Sequence, residues 1–152
     1  MNYWLFKTEP SECSIDDFAR APTTPIVWEG VRNYQARNFL RDGVSVGDQV
    51  LIYHSSCKDI GVAGIAEVVR AAYADPSQFA PRSPYYDAKS TPQQPRWVAV
   101  DLRFVHKLPR LITLDKIKSS AKMAELPVAQ KGSRLSVMPV TPQQWRDLLA
   151  LQ

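Results

Sequence analysis

Twelve prolines, most of them in loops, punctuate a chain of 152 residues, so whatever forms here is built from short elements. The strongest of these is Trp97-Val98-Ala99-Val100-Asp101-Leu102-Arg103-Phe104-Val105, whose alternation predicts a strand burying Val98, Val100, Leu102 and Phe104. Tyr3-Trp4-Leu5-Phe6 and Gln49 to His54 also read as strands. Val62 to Tyr73 is a longer one, with Gly61 and Gly64 marking a bend or bulge, and Ser136 to Val140 is a last short one. Between them lie short helices. Ser14 caps a helix over 14–19 with Asp17 reaching back, and Asn33 caps one over 34–41 with Ala36, Phe39 and Leu40 on its apolar face. Thr113 to Lys118 is another, and Thr141-Pro142-Gln143-Gln144 opens the last, with Trp145, Leu148 and Leu149 inside. Residues 76–95 hold five prolines and few aliphatics and read as a long surface excursion. Strands with interspersed short helices and no regular βαβ alternation predict an α+β fold with a mixed or partly closed sheet.

The length predicts one domain over residues 1–152, large enough to stand without disulfides. Cys13 and Cys57 form no Cys-x-x-Cys pair, so no metal site is expected, and two free thiols suggest a reducing compartment. No basic region leads into a long apolar run, and no stretch approaches the ~18 apolar residues of a membrane span. A cytosolic monomer without a membrane partner is expected. The formal net charge of +4 favours an anionic partner. The excess gathers at Arg32, Arg37 and Arg41, and again at Arg103, Lys107, Arg110, Lys116, Lys118 and Lys122; a set of solvated faces explains it equally well.

Residues 28–38, Trp28-Glu29-Gly30-Val31-Arg32-Asn33-Tyr34-Gln35-Ala36-Arg37-Asn38, are too polar for a core strand. Trp28 and Tyr34 offer flat faces for a base, Asn33 can bond a base edge, and Arg32 can pair with phosphate or stack. A loop running into a surface helix, with Trp28 capping the core, accounts for the same residues. His54-Ser55-Ser56-Cys57 places nucleophile and base types side by side, but neighbours in a strand point to opposite faces and no Gly-x-Ser-x-Gly turn is present. There is no phosphate loop or dinucleotide fingerprint, so no cofactor is expected. Lys7-Thr8-Glu9-Pro10 ends its strand with polar residues of the kind that line the mouth of a small barrel, and Gly132-Ser133-Arg134-Leu135-Ser136 is a second polar loop able to hold an anion.

Taken together, Tyr3 to Pro10, Trp28 to Asn38, Tyr53-His54-Ser55 and Gly132 to Val140 resemble the EVE family in order and spacing, from residue 2 to about residue 149. The 76–95 excursion has the least family character. The resemblance implies a PUA-like fold, a small, curved, mixed β-barrel with flanking short helices, related to the YTH domain that reads N6-methyladenine through an aromatic cage. It implies one pocket: Trp28 as a stacking wall, Asn33 and backbone near Val31 on a base edge, Lys7 and Thr8 at floor or rim. Tyr53, His54 and Ser55 would form the opposite wall, with Arg134 and Ser136 at the mouth beside phosphate or sugar. The expectation is a non-catalytic reader of a modified base in DNA or RNA, with a nucleic acid or nucleoside as partner, and with Trp28→Ala abolishing binding while sparing the fold. Two alternatives stand beside it: an amidohydrolase on modified nucleosides, as in the related ASCH group, using Lys7, Thr8 and Glu9; and a protein-interaction module. Strand alternation argues against the first, since it sets Thr8 on the face opposite Lys7 and Glu9.

Overall fold

The computed structural model describes residues 1–152. Its strands are β1 (Tyr3–Thr8), β2 (Ile26–Trp28), β3 (Gln49–His54), β4 (Gly61–Ala74), β5 (Val98–Thr113) and β6 (Val137–Val140). Its helices are α1 (Ile15–Arg20), α2 (Tyr34–Asp42), α3 (Leu114–Ser119) and α4 (Pro142–Leu149). The strands form a single sheet in the order β2-β5-β4-β3-β1-β6. Only β1 and β3 pair in parallel, Tyr3 opposite Gln49 through Thr8 opposite His54, and the chain between them crosses over through α1, β2 and α2.

The central strands are apolar on both faces because both faces are covered. Trp4 and Phe6 of β1, with Val50 and Ile52 of β3, point into a core shared with α1 and α2. Leu5, Leu51 and Tyr53 point the other way, into a second core closed by α3 and α4. This is why Tyr3-Trp4-Leu5-Phe6 reads as an unbroken apolar run rather than an alternation. Register shifts between β4 and β5 at four places add local twist and curl the sheet. The outcome is the expected α+β, PUA-like architecture, curved but not closed: β2 and β6 remain its two edges.

Three helices start where their caps predict, and α3 starts at Leu114, inside the segment expected to be helical. Ser14 and Thr141 make complete capping boxes, and Asn33 Oδ1 accepts the Ala36 amide at 2.9 Å. Three features differ from expectation. The three-residue strand β2 runs into the start of the polar segment, ending on its first residue, Trp28, and its length gives too little pattern to read. β5 continues past Val105 to Thr113, despite Pro109, because the pairing jumps from Ile112 to Lys107 and the proline sits in a bulge where no amide donor is required. Ala99 is as buried as Val100, while Val98 and Phe104 are only partly covered, since both faces of this strand carry packing.

The 76–95 excursion is also more than a surface loop. Gln78 is fully buried: its amide donates to the carbonyls of Asp75 and Trp97, both at 2.8 Å, and accepts from Trp97 N and Ser90 Oγ. One side chain thereby replaces the ladder that a strand would have supplied.

Candidate binding cleft

The sheet leaves a seam where its edges approach, and a cleft of about 1140 Å³ occupies it. One wall is β2 with Glu29, Gly30 and Val31. The facing wall is the end of β1 (Lys7, Thr8, Glu9) with Ser55, Ser56 and the loop residues Ser133, Arg134 and Ser136. Cys13 and Asp17 lie on the α1 side, and Ser83, Pro84 and Tyr85 come from the long excursion. Only six of the 21 lining residues are hydrophobic, so the cleft suits a polar ligand.

Trp28 has two roles. It is 6% exposed and packs on Phe6 and Phe18 at ring distances of 5.6 and 6.4 Å, yet it also borders the cleft. The expectation that its removal spares the fold is therefore corrected. The β1 end is tied down on both edges: Lys7 N donates to Ser136 O at 2.9 Å, and Ser55 N donates to Thr8 O at 2.9 Å. Thr8 Oγ1 donates to Cys13 O at 2.9 Å. Burial holds the Lys7 ammonium below its usual pKa. Lys7, Thr8 and Glu9 all border the cleft.

Of the expected site residues, Lys7, Thr8, Trp28, Val31, Ser55, Arg134 and Ser136 line the cleft; Arg32, Asn33, Tyr34, Tyr53 and His54 do not. Each of the five is engaged elsewhere. Tyr53 alternates away into the second core, where burial pushes its phenol up to about 12. His54 Nε2 accepts the Ile15 amide at 3.1 Å, serving the start of α1, and burial lowers its pKa. Asn33 spends its carbonyl oxygen capping α2. Tyr34 is 52% exposed and stacks on Trp97 at 4.8 Å.

Arg32 is a fastener. Its guanidinium donates to the Asp75 carboxylate at 2.9 Å, to Ser77 Oγ at 3.1 Å and to Tyr85 O at 2.7 and 3.1 Å. Asp75 has no exposed side-chain surface and also accepts from Gly30 N and Ser77 N. Burial alone would raise its pKa, but these donors and the Arg32 charge reverse that and hold it below the ordinary carboxylate range.

Sequence reasoning missed Tyr85, Glu12 and Glu29. The Tyr85 ring lies against Gly30, whose φ is +84°, and a Cβ there would sit 2.7 Å from the ring. Its hydroxyl donates to the Glu12 carboxylate at 2.6 Å, and burial, followed by this bond, raises its pKa to about 12. A tyrosine in a proline-rich stretch poor in aliphatics is the signal that was available. Glu29 has no hydrogen-bond partner, and burial, then the Asp75 charge, raises its pKa.

A family model described as the EVE domain matches residues 2–151. The chain belongs to the EVE domain family. It is 38% identical to thymocyte nuclear protein 1 of Gallus gallus over 99% of this chain and 68% of that one. A crystal structure of a Pseudomonas putida protein is 54% identical and superposes with a TM-score of 0.94 over 98% of both chains. Human THYN1, crystallised in complex with DNA containing 5-methylcytosine, is 36% identical with a TM-score of 0.89, covering 99% of this chain and 97% of that one. The expectation of a cytosolic protein is withdrawn, because the matched relatives from chicken, mouse and human all bear the name of a nuclear protein.

Proposed function

We propose that this EVE domain binds nucleic acid by taking one modified base into the seam cleft, without reacting with it. The observation that carries this reading is the composition of the wall: two aromatic rings, Trp28 and Tyr85, border a cleft whose other lining residues are mostly polar. Stacking on such rings contributes about 1–3 kcal/mol per base. The cleft also holds Glu9, Glu12, Asp17 and Glu29 against Lys7 and Arg134. That balance disfavours phosphate inside and favours a base, whose exocyclic amino group can donate to a carboxylate such as Glu29. The human relative crystallised with 5-methylcytosine DNA supports the partner class.

The enzymatic alternative rests on Lys7, Thr8 and Glu9 all bordering the cleft. Against it, the Thr8 hydroxyl is committed to Cys13 O and the His54 acceptor to Ile15 N, which leaves neither free to move a proton.

A binding screen over modified nucleosides and short oligonucleotides, with Trp28→Phe and Tyr85→Ala as controls, tests the reading, and chromatography of the same mixtures tests for turnover. Binding that weakens in both variants, with no product, is the expected result. Product that disappears in Lys7→Ala would replace the reader with the amidohydrolase, and binding insensitive to both aromatic variants would move the site elsewhere.

A further inference from the structure

A base held in a cleft rich in carboxylates leaves its own phosphates outside, so the rest of the nucleic-acid chain needs a surface of its own. We propose that this surface is the exposed end of the Trp97–Tyr34–Arg37 stack on α2, which holds the nucleotide next to the one in the cleft. This rests on the reading of the cleft given above.

Four planar groups lie in sequence of contact. The Arg32 guanidinium lies 5.3 Å from the Trp97 ring centre, Trp97 stacks on Tyr34 at 4.8 Å and 26°, and Arg37 lies 4.8 Å from the Tyr34 ring centre. The inner members are fixed: Arg32 is paired with Asp75, and Trp97 Nε1 donates to Asp87 at 2.8 Å. The outer members reach the surface, Tyr34 exposed and Arg37 half-buried. Tyr34 is 52% exposed, and Arg37 is held by the neutral acceptors Asn38 Oδ1 and Arg96 O, with no carboxylate in ion-pair range. With Trp97 on one face of Tyr34 and Arg37 on the other, a base would stack on the outer face of the Arg37 guanidinium, along the exposed edge of Tyr34, with the Arg37 charge for its phosphate.

Position supports the same partner. Val31 lines the cleft, and at most ~11 Å of extended chain separates it from Tyr34. The other basic stretch fits less well: Arg103, Lys107 and Lys122 each face a carboxylate, and Phe104, the one Phe, Tyr or Trp within 103–122, packs against the first core.

Titration of wild type, Tyr34→Ala and Arg37→Ala with a short single-stranded oligonucleotide carrying one 5-methylcytosine, and in parallel with free 5-methyldeoxycytidine, tests this. Tyr34→Ala is expected to weaken oligonucleotide binding roughly 5- to 100-fold and to leave nucleoside binding unchanged. Arg37→Ala is expected to reduce the salt slope for the single strand by about 0.7, with Arg37→Lys restoring it. Wild-type oligonucleotide binding that Tyr34→Ala and Arg37→Ala leave intact overturns this inference alone. A wild type that binds neither these probes nor any modified nucleoside or oligonucleotide of the screen overturns it together with the reading of the cleft, and equal loss of nucleoside binding in Tyr34→Ala assigns Tyr34 to the cleft instead.

Discussion

Arg32 grips the main-chain carbonyl of Tyr85 with two guanidinium nitrogens, across 53 positions of sequence. The same side chain neutralises Asp75, so the roof of the cleft and its β2 wall share one anchor. Arg32→Ala would leave a fully buried carboxylate with neutral donors only. A loss of roughly 2–4 kcal/mol is expected, read as a lower midpoint in urea unfolding. Arg32→Lys should recover only part of it, because an ammonium cannot reproduce the fork. An unchanged midpoint for Arg32→Ala would show that the anchor contributes nothing.

Trp28→Ala is expected to destabilise the domain by about 3–5 kcal/mol, since the ring fills space between Phe6 and Phe18. At ~2–4 °C per kcal/mol, the melting temperature should fall by about 6–20 °C. Trp28→Phe keeps a ring in place and is the variant for binding work. A Trp28→Ala protein melting within a degree or two of wild type would mean that the ring belongs to the cleft and not to the core.

Gly30→Ala combines a positive φ with a clash against the Tyr85 ring. The ring must shift, carrying its bond to Glu12 with it. A cost of about 1–3 kcal/mol is expected, together with altered intensity in the near-ultraviolet dichroism of the tyrosines. Near-wild-type stability would show that the excursion yields freely.

His54 supplies a pH test. Burial is the largest cause of its lowered pKa; Asp16 and Asp17 pull upward and Lys107 downward. A folded value below the unfolded ~6.5 means that the neutral ring's contribution is complete above that pH. It is lost as pH falls from there through the folded pKa, because the unfolded chain takes up the proton first. The advantage of wild type over His54→Ala should therefore shrink between about pH 8 and about pH 5. A difference constant over that range would show that His54 does not titrate with folding.

Cys13 should alkylate slowly. Burial, with Asp17 and Glu12 nearby, raises its thiol to about 11, so at pH ~8 about one molecule in a thousand carries the thiolate. Mass analysis after timed iodoacetamide labelling, native against urea-unfolded, reads the protection. Equal rates in the two states would contradict it.

Much of the fold was legible in local chemistry. Ser14, Asn33 and Thr141 announce their helices because a cap is a contact between residues three apart. Long-range commitments were not legible. His54 and Arg32 have the residue types of a binding site, but each is held by a partner chosen through tertiary packing and distant in sequence; Asn33 is held locally, by the cap it makes for α2. Tyr85 escaped notice for the same reason, since nothing near it in sequence points to Gly30 or Glu12.

Where strands pair, the hydrogen-bond ladder sets their separation at ~4.8 Å and permits no other value. β2 and β6 are not paired to each other, so no such quantum governs the width of the gap between them. That width is set by side chains and by the excursion that Arg32 and Gln78 pin in place. A change in length or composition between those two anchors would alter the dimensions of the gap without requiring any strand of the sheet to change register.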